Sequence, residues 1–445
     1  MTTPQPWRSD LPAVDDRAVG VPEFLFEHAA RFGDKPALVD GPTGRTLSYR
    51  QLADAVERTA AGLAARGFGK GDVLALFSPN LPEFAVAMYG AMAAGGVVTG
   101  ASPLLTAGEL AGQLADAGAS VLVTVPPFLE VAREAAARAG VGEVLIFGEA
   151  EGATPFASLL AAEGAAPEVQ IDPAEDLAAL PYSSGTTGLP KGVELTHANL
   201  VAHARQAQAV MGLTTDDVVV GVAPFFHAIG QNIILPCSLR AGATVVTMPR
   251  FDLAGFLGLV QDHRATFTIV VPPIVLALAG HPMVDGYDLS SLRLLGCGAA
   301  PLGADVEQRC ADRLGCEVVQ GFGMTESSAV LAIVPPDAPR RGSAGRLLPG
   351  TEARMVDPAG GGDVGPGRTG EVPVAHVATR SQVGAAELQA WVAERVAPFK
   401  RLRGIRFVDQ VPRSPTGKLL RRVLVEVERA DAERFRAEIE PAGVA

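Results

Sequence analysis

Lysine is scarce in this chain. Of 37 basic residues only five are Lys, at positions 35, 70, 191, 400 and 418, and the rest are Arg. Against that bias a Lys inside a Gly/Ser/Thr/Pro loop stands out, and both Lys191 and Lys418 sit in such loops. Positive charge as a whole is in deficit, with a net charge of −12 and a pI near 5.2. An acidic surface repels phosphate backbones and anionic lipid, so no nucleic-acid partner and no peripheral membrane contact is expected. No run of about 18 uninterrupted apolar residues occurs, which excludes an ordinary membrane-spanning helix. Residues Met1 to Arg17 carry Pro, Asp and Arg in place of an apolar core, so no signal peptide is expected. Cysteine is sparse too: Cys237, Cys297, Cys310 and Cys316 form no CxxC pair and have no His at metal spacing. They read as reduced thiols of a cytoplasmic protein. No repeat of 20–50 residues is visible.

What the chain does have is apolar mass. At 445 residues, 48% hydrophobic and 19% charged, it holds roughly three globular units' worth of core. Helical and strand patterns alternate. Tyr49 to Gly67 is amphipathic at helical spacing, Val73 to Phe77 is a short apolar run, and Glu83 to Ala94 is helical again. Leu110 to Ala117 reads as a helix and Val121 to Val125 as a buried strand. Further strands are expected at Leu177–Tyr182, Val218–Val222, Thr244–Met248, Phe267–Val270 and Leu292–Gly296. Short β-branched runs separated by helices predict an α/β fold, with parallel sheets covered by helices on both faces. Pro336 to Gly370 is rich in Pro and Gly, which suits turns, a small β region and a linker. The charge-rich stretch from Glu371 predicts strand 372–378, helix 385–396, strand 403–408 and a last helix after Gly417. The expected division is a large domain over 1–369 and a small α+β lobe over 370–445.

Two loops carry chemistry. Ser183-Ser184-Gly185-Thr186-Thr187-Gly188-Leu189-Pro190-Lys191-Gly192 lies between a buried strand and a helix that starts near His197. Its glycines permit close backbone approach, its hydroxyls and N–H groups suit phosphate oxygens, and Lys191 adds a point charge. Pro190-Lys191 stands where a Walker A loop needs Gly-Lys-Ser/Thr, so this is a phosphate loop of another kind. The second loop, Gly321-Phe322-Gly323-Met324-Thr325-Glu326, follows the apolar stretch 317–320. Phe322 can stack on a base and Glu326 can hold Mg²⁺. Taken alone the second loop equally suits a helix N-cap at Thr325.

Together, and in this order, the two motifs closely resemble those of the adenylate-forming ligases: acyl-CoA synthetases, luciferases and the adenylation domains of peptide synthetases. The text between and around them is similar as well. Pro224-Phe225-Phe226-His227 resembles the family's aromatic-His strand end beside the carboxylate. Gly298-Ala299-Ala300-Pro301-Leu302 resembles its adenine-side loop, and Ser414-Pro415-Thr416-Gly417-Lys418 its C-terminal lysine loop. Asn80-Leu81-Pro82-Glu83-Phe84 and Pro103-Leu104-Leu105-Thr106 are most similar to the 4-coumarate–CoA ligase branch. The resemblance runs from about Val21 to Glu428.

It implies ATP-dependent activation of a small carboxylic acid, aromatic or medium acyl, to an acyl-adenylate that passes to CoA or another nucleophile. It implies that Ser183, Ser184, Gly185, Thr186, Thr187, Gly188 and Lys191 hold phosphates, and that Glu326 and Thr187 serve Mg²⁺. It places Gly298, Ala299, Ala300, Gln320, Gly321, Phe322 and Thr325 beside the nucleotide. His227, Ala228, Ile229, Gln231, Gly296, Gly298 and Gly321 would line the acyl pocket, where small residues at 296 and 298 leave room for a flat ring. Lys418 would bridge the carboxylate and the α-phosphate, so the catalytic set is Lys418, His227, Thr187 and Glu326. A lone His in apolar text is more often structural, and His197 reads as a helix-start residue of that kind.

One departure is large. Arg368-Thr369-Gly370-Glu371 runs straight into Val372-Pro373-Val374-Ala375-His376, which in the family lies far downstream. About a hundred residues, a small domain's worth, are missing. With them go the Asp that holds the ATP ribose, the Asp-Arg hinge and the Lys-rich loop of the thioester step. The remaining 75 residues from Glu371 to Ala445 are few for an independent core. Two other readings therefore stay open: an adenylate-using amide or ester synthase, and a nucleotide- or acyl-binding protein with impaired turnover.

Overall fold

The computed structural model describes residues 6–15, 17–162, 164–183, 190–354, 374–378, 384–393, 404–412 and 423–424. The chain divides into a large unit, residues 8–184 and 190–351, and a second unit that includes 352–445.

Two sheets organise the large unit. Strand Val73–Phe77 shows why they form. All five residues are buried, and the two faces feed different cores: Leu74 and Leu76 join one cluster, Val73, Ala75 and Phe77 another. That is the period-two alternation of a strand covered on both sides. Its parallel neighbours are Val97–Ala101 and Ala119–Thr124, within a seven-stranded sheet. The second sheet has nine strands. Its parallel centre runs in the order Glu317–Phe322, Leu294–Cys297, Phe267–Val270, Val218–Gly221, Thr244–Thr247, Pro36–Asp40. Leu294 and Val219 enter the cluster shared with the first sheet, while Leu295 and Val220 enter an outer one. The result is a layered α/β sandwich, with helices between the sheets and on their outer faces.

The helices carry their own signals. Tyr49–Ala65 opens on a capping box between Ser48 and Gln51 and stops just before Gly67, whose φ is +86°. Ala107–Ala117 begins with a Thr106/Glu109 box and ends at left-handed Gly118. Among the described residues no helix is long and apolar enough to cross a membrane.

Most expected elements appear within two or three residues of their anticipated ends. Two differ for local reasons. The expected strand 177–182 is broken: Leu177–Ala179 belongs to the seven-stranded sheet, and Tyr182–Ser183 pairs separately with Lys191–Gly192. Pro181 has no N–H to continue a ladder. The strand expected at 292–296 starts at Leu294, because the Leu292 N–H closes a turn on Leu289 O at 3.0 Å. In the second unit, Val374–Val377 and Gly404–Phe407 pair in parallel, and helix Ala385–Ala393 lies between them in sequence. The helix expected after Gly417 lies outside the described residues apart from 423–424, which are helical.

Candidate active site

Four neighbouring parallel strands of the nine-stranded sheet, 317–322, 294–297, 267–270 and 218–221, end on the same edge. In open α/β sheets ligands bind outside those carboxyl ends. The segments that leave there are Gly323–Glu326, Gly298–Leu302 and Pro224–His227.

The neck of the Ser/Thr/Gly loop is a two-residue antiparallel ladder in which Ser183 stands opposite Lys191. Ser183 Oγ donates to Glu326 Oε1 at 2.9 Å. The structure thus joins the start of the first motif to the acid of the second, with Lys191 beside them. Lys191 and Glu326 are both exposed, so their charges are available to a ligand. Glu326 sits in a single 3₁₀ turn, Thr325–Ser327, that ends on Ser328 at φ +66°. Gly323 has no room for a side chain: a β-carbon there would lie 1.8 Å from Ala329 O and 2.5 Å from Val330 Cα. Phe322 is 55% exposed, unusual for a ring at the end of a core strand and suited to stacking. Thr325 is half-buried beside it.

Gly298, Ala299 and Ala300 leave the next strand. Ala299 holds φ +67°, a left-handed conformation that costs a non-glycine residue about 1–2 kcal/mol and persists only where the surroundings fix it. Gln320 supplies part of that support through its side chain. Its Oε1 accepts from Leu302 N at 2.9 Å and its Nε2 donates to buried Glu307 at 2.6 Å. Glu307 also accepts from Gly342 N at 2.9 Å and faces Arg341 at 3.5 Å. The Gln320 amide therefore ties the 298–302 loop to the sheet.

His227 is exposed beyond the end of strand 218–221, and its Nδ1 accepts from Ile229 N at 3.4 Å. Its carbonyl accepts from Gln231 N at 2.9 Å, opening a π-helical turn, Gly230–Ile234; such turns recur at functional sites. Ala228 is buried, and Ile229 Cδ1 would sit 3.6 Å from a β-carbon at Gly298, so these two face each other. A β-carbon at Gly296 would touch Ile269, and one at Gly321 would touch Val330. Gln231 does not share this group. It is buried and lines a cavity with Val21, Phe24, Met88, Tyr89 and Asn232. Its amide and the Tyr89 hydroxyl have no hydrogen-bond partner among the described residues.

Ser184, Gly185, Thr186, Thr187, Gly188 and Lys418 lie outside the described residues. His197 is the first residue of helix His197–Met211, buried, with Nδ1 accepting from Val21 N at 3.1 Å. Three supporting residues carry no motif of their own chemistry. Buried Asn80 donates to Gly221 O and Ala223 O and accepts from Phe225 N at 2.7 Å, pinning the His227 segment. Asn232 and His203 bond the segment that follows Glu326. Asn80 lies in the Asn-Leu-Pro stretch, whose sequence alone gave it no such role; the other two sit in ordinary helical text.

Comparison with known proteins identifies the family. The model of the AMP-binding enzyme family matches residues 25–379, and that of the AMP-binding enzyme C-terminal domain matches 364–418. A 4-coumarate–CoA ligase 3 of Oryza sativa subsp. japonica is 40% identical over 379 residues, 82% of this chain and 68% of the relative. A 4-coumarate–CoA ligase 5 of the same plant is 35% identical over 525 residues, 94% of this chain and 96% of the relative. As 94% of 445 residues is about 418, some 107 residues of that alignment have no counterpart here. The solved benzoate CoA ligase of Burkholderia xenovorans LB400 shares the fold, with a TM-score of 0.77 at 23% identity, over 91% of this chain and 99% of that one. The chain belongs to the AMP-binding enzyme family and is an adenylate-forming ligase that activates a carboxylic acid with ATP.

Proposed function

We propose that the acid is aromatic, that the acceptor is CoA, and that the motif residues divide the work as follows. The 40% identity to a ligase named for 4-coumarate, together with two small residues, Gly296 against Ile269 and Gly298 against Ile229, supports a flat ring in the acyl pocket. His227 stands on the carboxylate side. The substrate carboxylate oxygen attacks the α-phosphorus of ATP, the bond to the bridging oxygen of the β-phosphate breaks, and pyrophosphate leaves with the electron pair. The Ser183–Lys191 loop cradles the phosphates, Phe322 stacks on the base, and Lys418 neutralises charge between carboxylate and α-phosphate. Such chemistry is dominated by positioning and charge neutralisation. In the second half-reaction the CoA sulfur attacks the carbonyl carbon, its proton passes to solvent, and AMP leaves.

The donor set suits Mg²⁺. Glu326 is an exposed hard carboxylate at the neck of the phosphate loop, and among the described residues no cluster of three or more His, Cys, Asp or Glu could hold a metal. A cation here would share Glu326, and Thr187 beyond the described residues, with phosphate oxygens and water, as Mg²⁺ does. Bound there, it would offset charge on the phosphates.

The observation that carries this division of roles is the Ser183–Glu326 hydrogen bond, 2.9 Å, across 143 residues of sequence. The unmatched 107 residues favour a second reading for the acceptor. The two family matches overlap at 364–379, the stretch that contains Glu371. Loss of an oriented attack forfeits several kcal/mol of effective concentration, so acyl transfer to CoA should lag, and an amine or alcohol would then be the better acceptor. Single-turnover measurement of acyl-AMP and acyl-CoA over a panel of aromatic and aliphatic acids decides this. Acyl-CoA formed as fast as acyl-AMP would remove the second reading. Preference for aliphatic acids would refute the aromatic pocket, and no acid-dependent pyrophosphate release would refute the whole.

A further inference from the structure

We propose that Asn232 is a positioning residue that couples the His227 segment to the Glu326 turn and so sets the aim of Glu326. The proposal rests on the reading that Glu326 serves the ATP half-reaction.

Asn232 is 2% exposed, inside the π-helical turn Gly230–Ile234. Its Nδ2 donates to Ser328 O at 2.5 Å. Ser328 is the residue on which the Glu326 turn closes, by Ser328 N to Thr325 O at 3.0 Å, and its φ of +66° is left-handed. A serine stays in that conformation only where other contacts over-determine it. Asn232 is one such contact. His203 is the next, its Nε2 accepting from Val330 N at 3.0 Å. The absence of space at Gly323, against Ala329 O and Val330 Cα, is a third.

The other side of Asn232 is equally constrained. Gln231 N donates to His227 O at 2.9 Å, and His227 N donates to Pro224 O at 3.0 Å. A β-carbon at Gly230 would lie 2.2 Å from Pro224 O, so the chain is folded onto itself there without slack. Pro224 to Asn232 behaves as one rigid piece, anchored by Asn80 on Phe225 N at 2.7 Å. A side-chain hydrogen bond from that piece to the closing residue of the Glu326 turn fixes the carboxylate side of the site relative to the phosphate side. Groups that orient a ligand-binding side chain in this way are worth roughly 10–100-fold in activity.

The test is Asn232→Leu, close in size but with no donor, in the full chain. In the ligand-free protein, amide hydrogen exchange in the peptide spanning 322–331 should rise about tenfold or more while strand Val73–Phe77 stays protected. Acid-dependent ATP–pyrophosphate exchange should fall about 10–100-fold in kcat with the acid KM moved less than about threefold. Added to Glu326→Gln, the same substitution should cost less than about threefold more, because residues acting through one another are not additive. Unchanged exchange at 322–331, or losses that multiply, would overturn the proposal. If Glu326→Gln alone leaves the rate intact, the Glu326 reading fails instead, and the exchange measurement still decides Asn232. If Asn232→Leu does not fold, Asn232→Asp replaces it. Its neutral carboxyl can donate to Ser328 O and its ionised form cannot, so its rate relative to wild type should fall as pH rises. A pH-independent ratio would overturn the proposal.

Discussion

Acidification should unfold the large unit earlier than its carboxylates alone would predict, and His203 shows by how much. The ring is buried, and burial pushes its pKa down to about 4 from an ordinary 6.5. A group with a depressed folded pKa favours the native state fully above its unfolded value. That contribution is lost as pH falls from 6.5 towards 4, because the unfolded chain binds the proton first. About 2.5 pH units at roughly 1.4 kcal/mol each make this about 3.5 kcal/mol. His197 is pushed to about 4 as well, by burial opposed by Asp176, and adds a loss of similar size over the same window. Two such losses rival the whole stability of many domains, 5–15 kcal/mol. The urea midpoint, followed by far-UV circular dichroism from pH 7.5 to 4, should fall steeply across that window. His203→Gln keeps an acceptor for Val330 N and removes the titration, so its midpoint should fall less steeply. Parallel curves for the two proteins would refute the reasoning.

Three further outcomes follow from the site. Gly323→Ala must displace the 328–330 segment, and the overpacking should cost about 1–3 kcal/mol and lower adenylate formation at least about tenfold, read as the thermal midpoint and pyrophosphate exchange. Gln320→Leu leaves Leu302 N without its acceptor and removes a donor from Glu307. It should cost about 2–3 kcal/mol and raise the KM for ATP more than that for the acid in steady-state kinetics. Lys418→Ala should lower adenylate formation about 10²–10³-fold while ATP affinity by calorimetry changes far less, because its charge acts mainly in the transition state.

The layered fold was legible because each buried strand announces itself. Val73–Phe77 is a continuous apolar run and Phe267–Val270 is apolar apart from Thr268, and their ends fall where the spacing put them. The Ser183–Gly192 and Gly321–Glu326 loops stand out in the sequence because glycine, hydroxyl and charge crowd into a few positions. What stayed hidden was support. Gln320 reads like any polar residue at a strand end, and only the fold shows its amide bridging Leu302 and Glu307. His203 and Asn232 stand in apolar helical text, and their partners lie 127 and 96 residues away. The family resemblance implies an acyl-pocket place for Gln231, but the π-helical turn carries its side chain towards Tyr89. A one-residue change of helical register is invisible to periodicity.

The cysteines have a practical consequence. All four are buried, and burial holds the thiols of Cys297, Cys310 and Cys316 up at about 12. At neutral pH the native protein presents almost no thiolate, the form that alkylating reagents attack. Covalent labelling therefore becomes a clock for opening events. Cys237 belongs to the cluster between the two sheets, and the other three to the outer face of the nine-stranded sheet. Mass spectrometry that separates one-label from three-label species would time the peeling of each layer from the body of the enzyme.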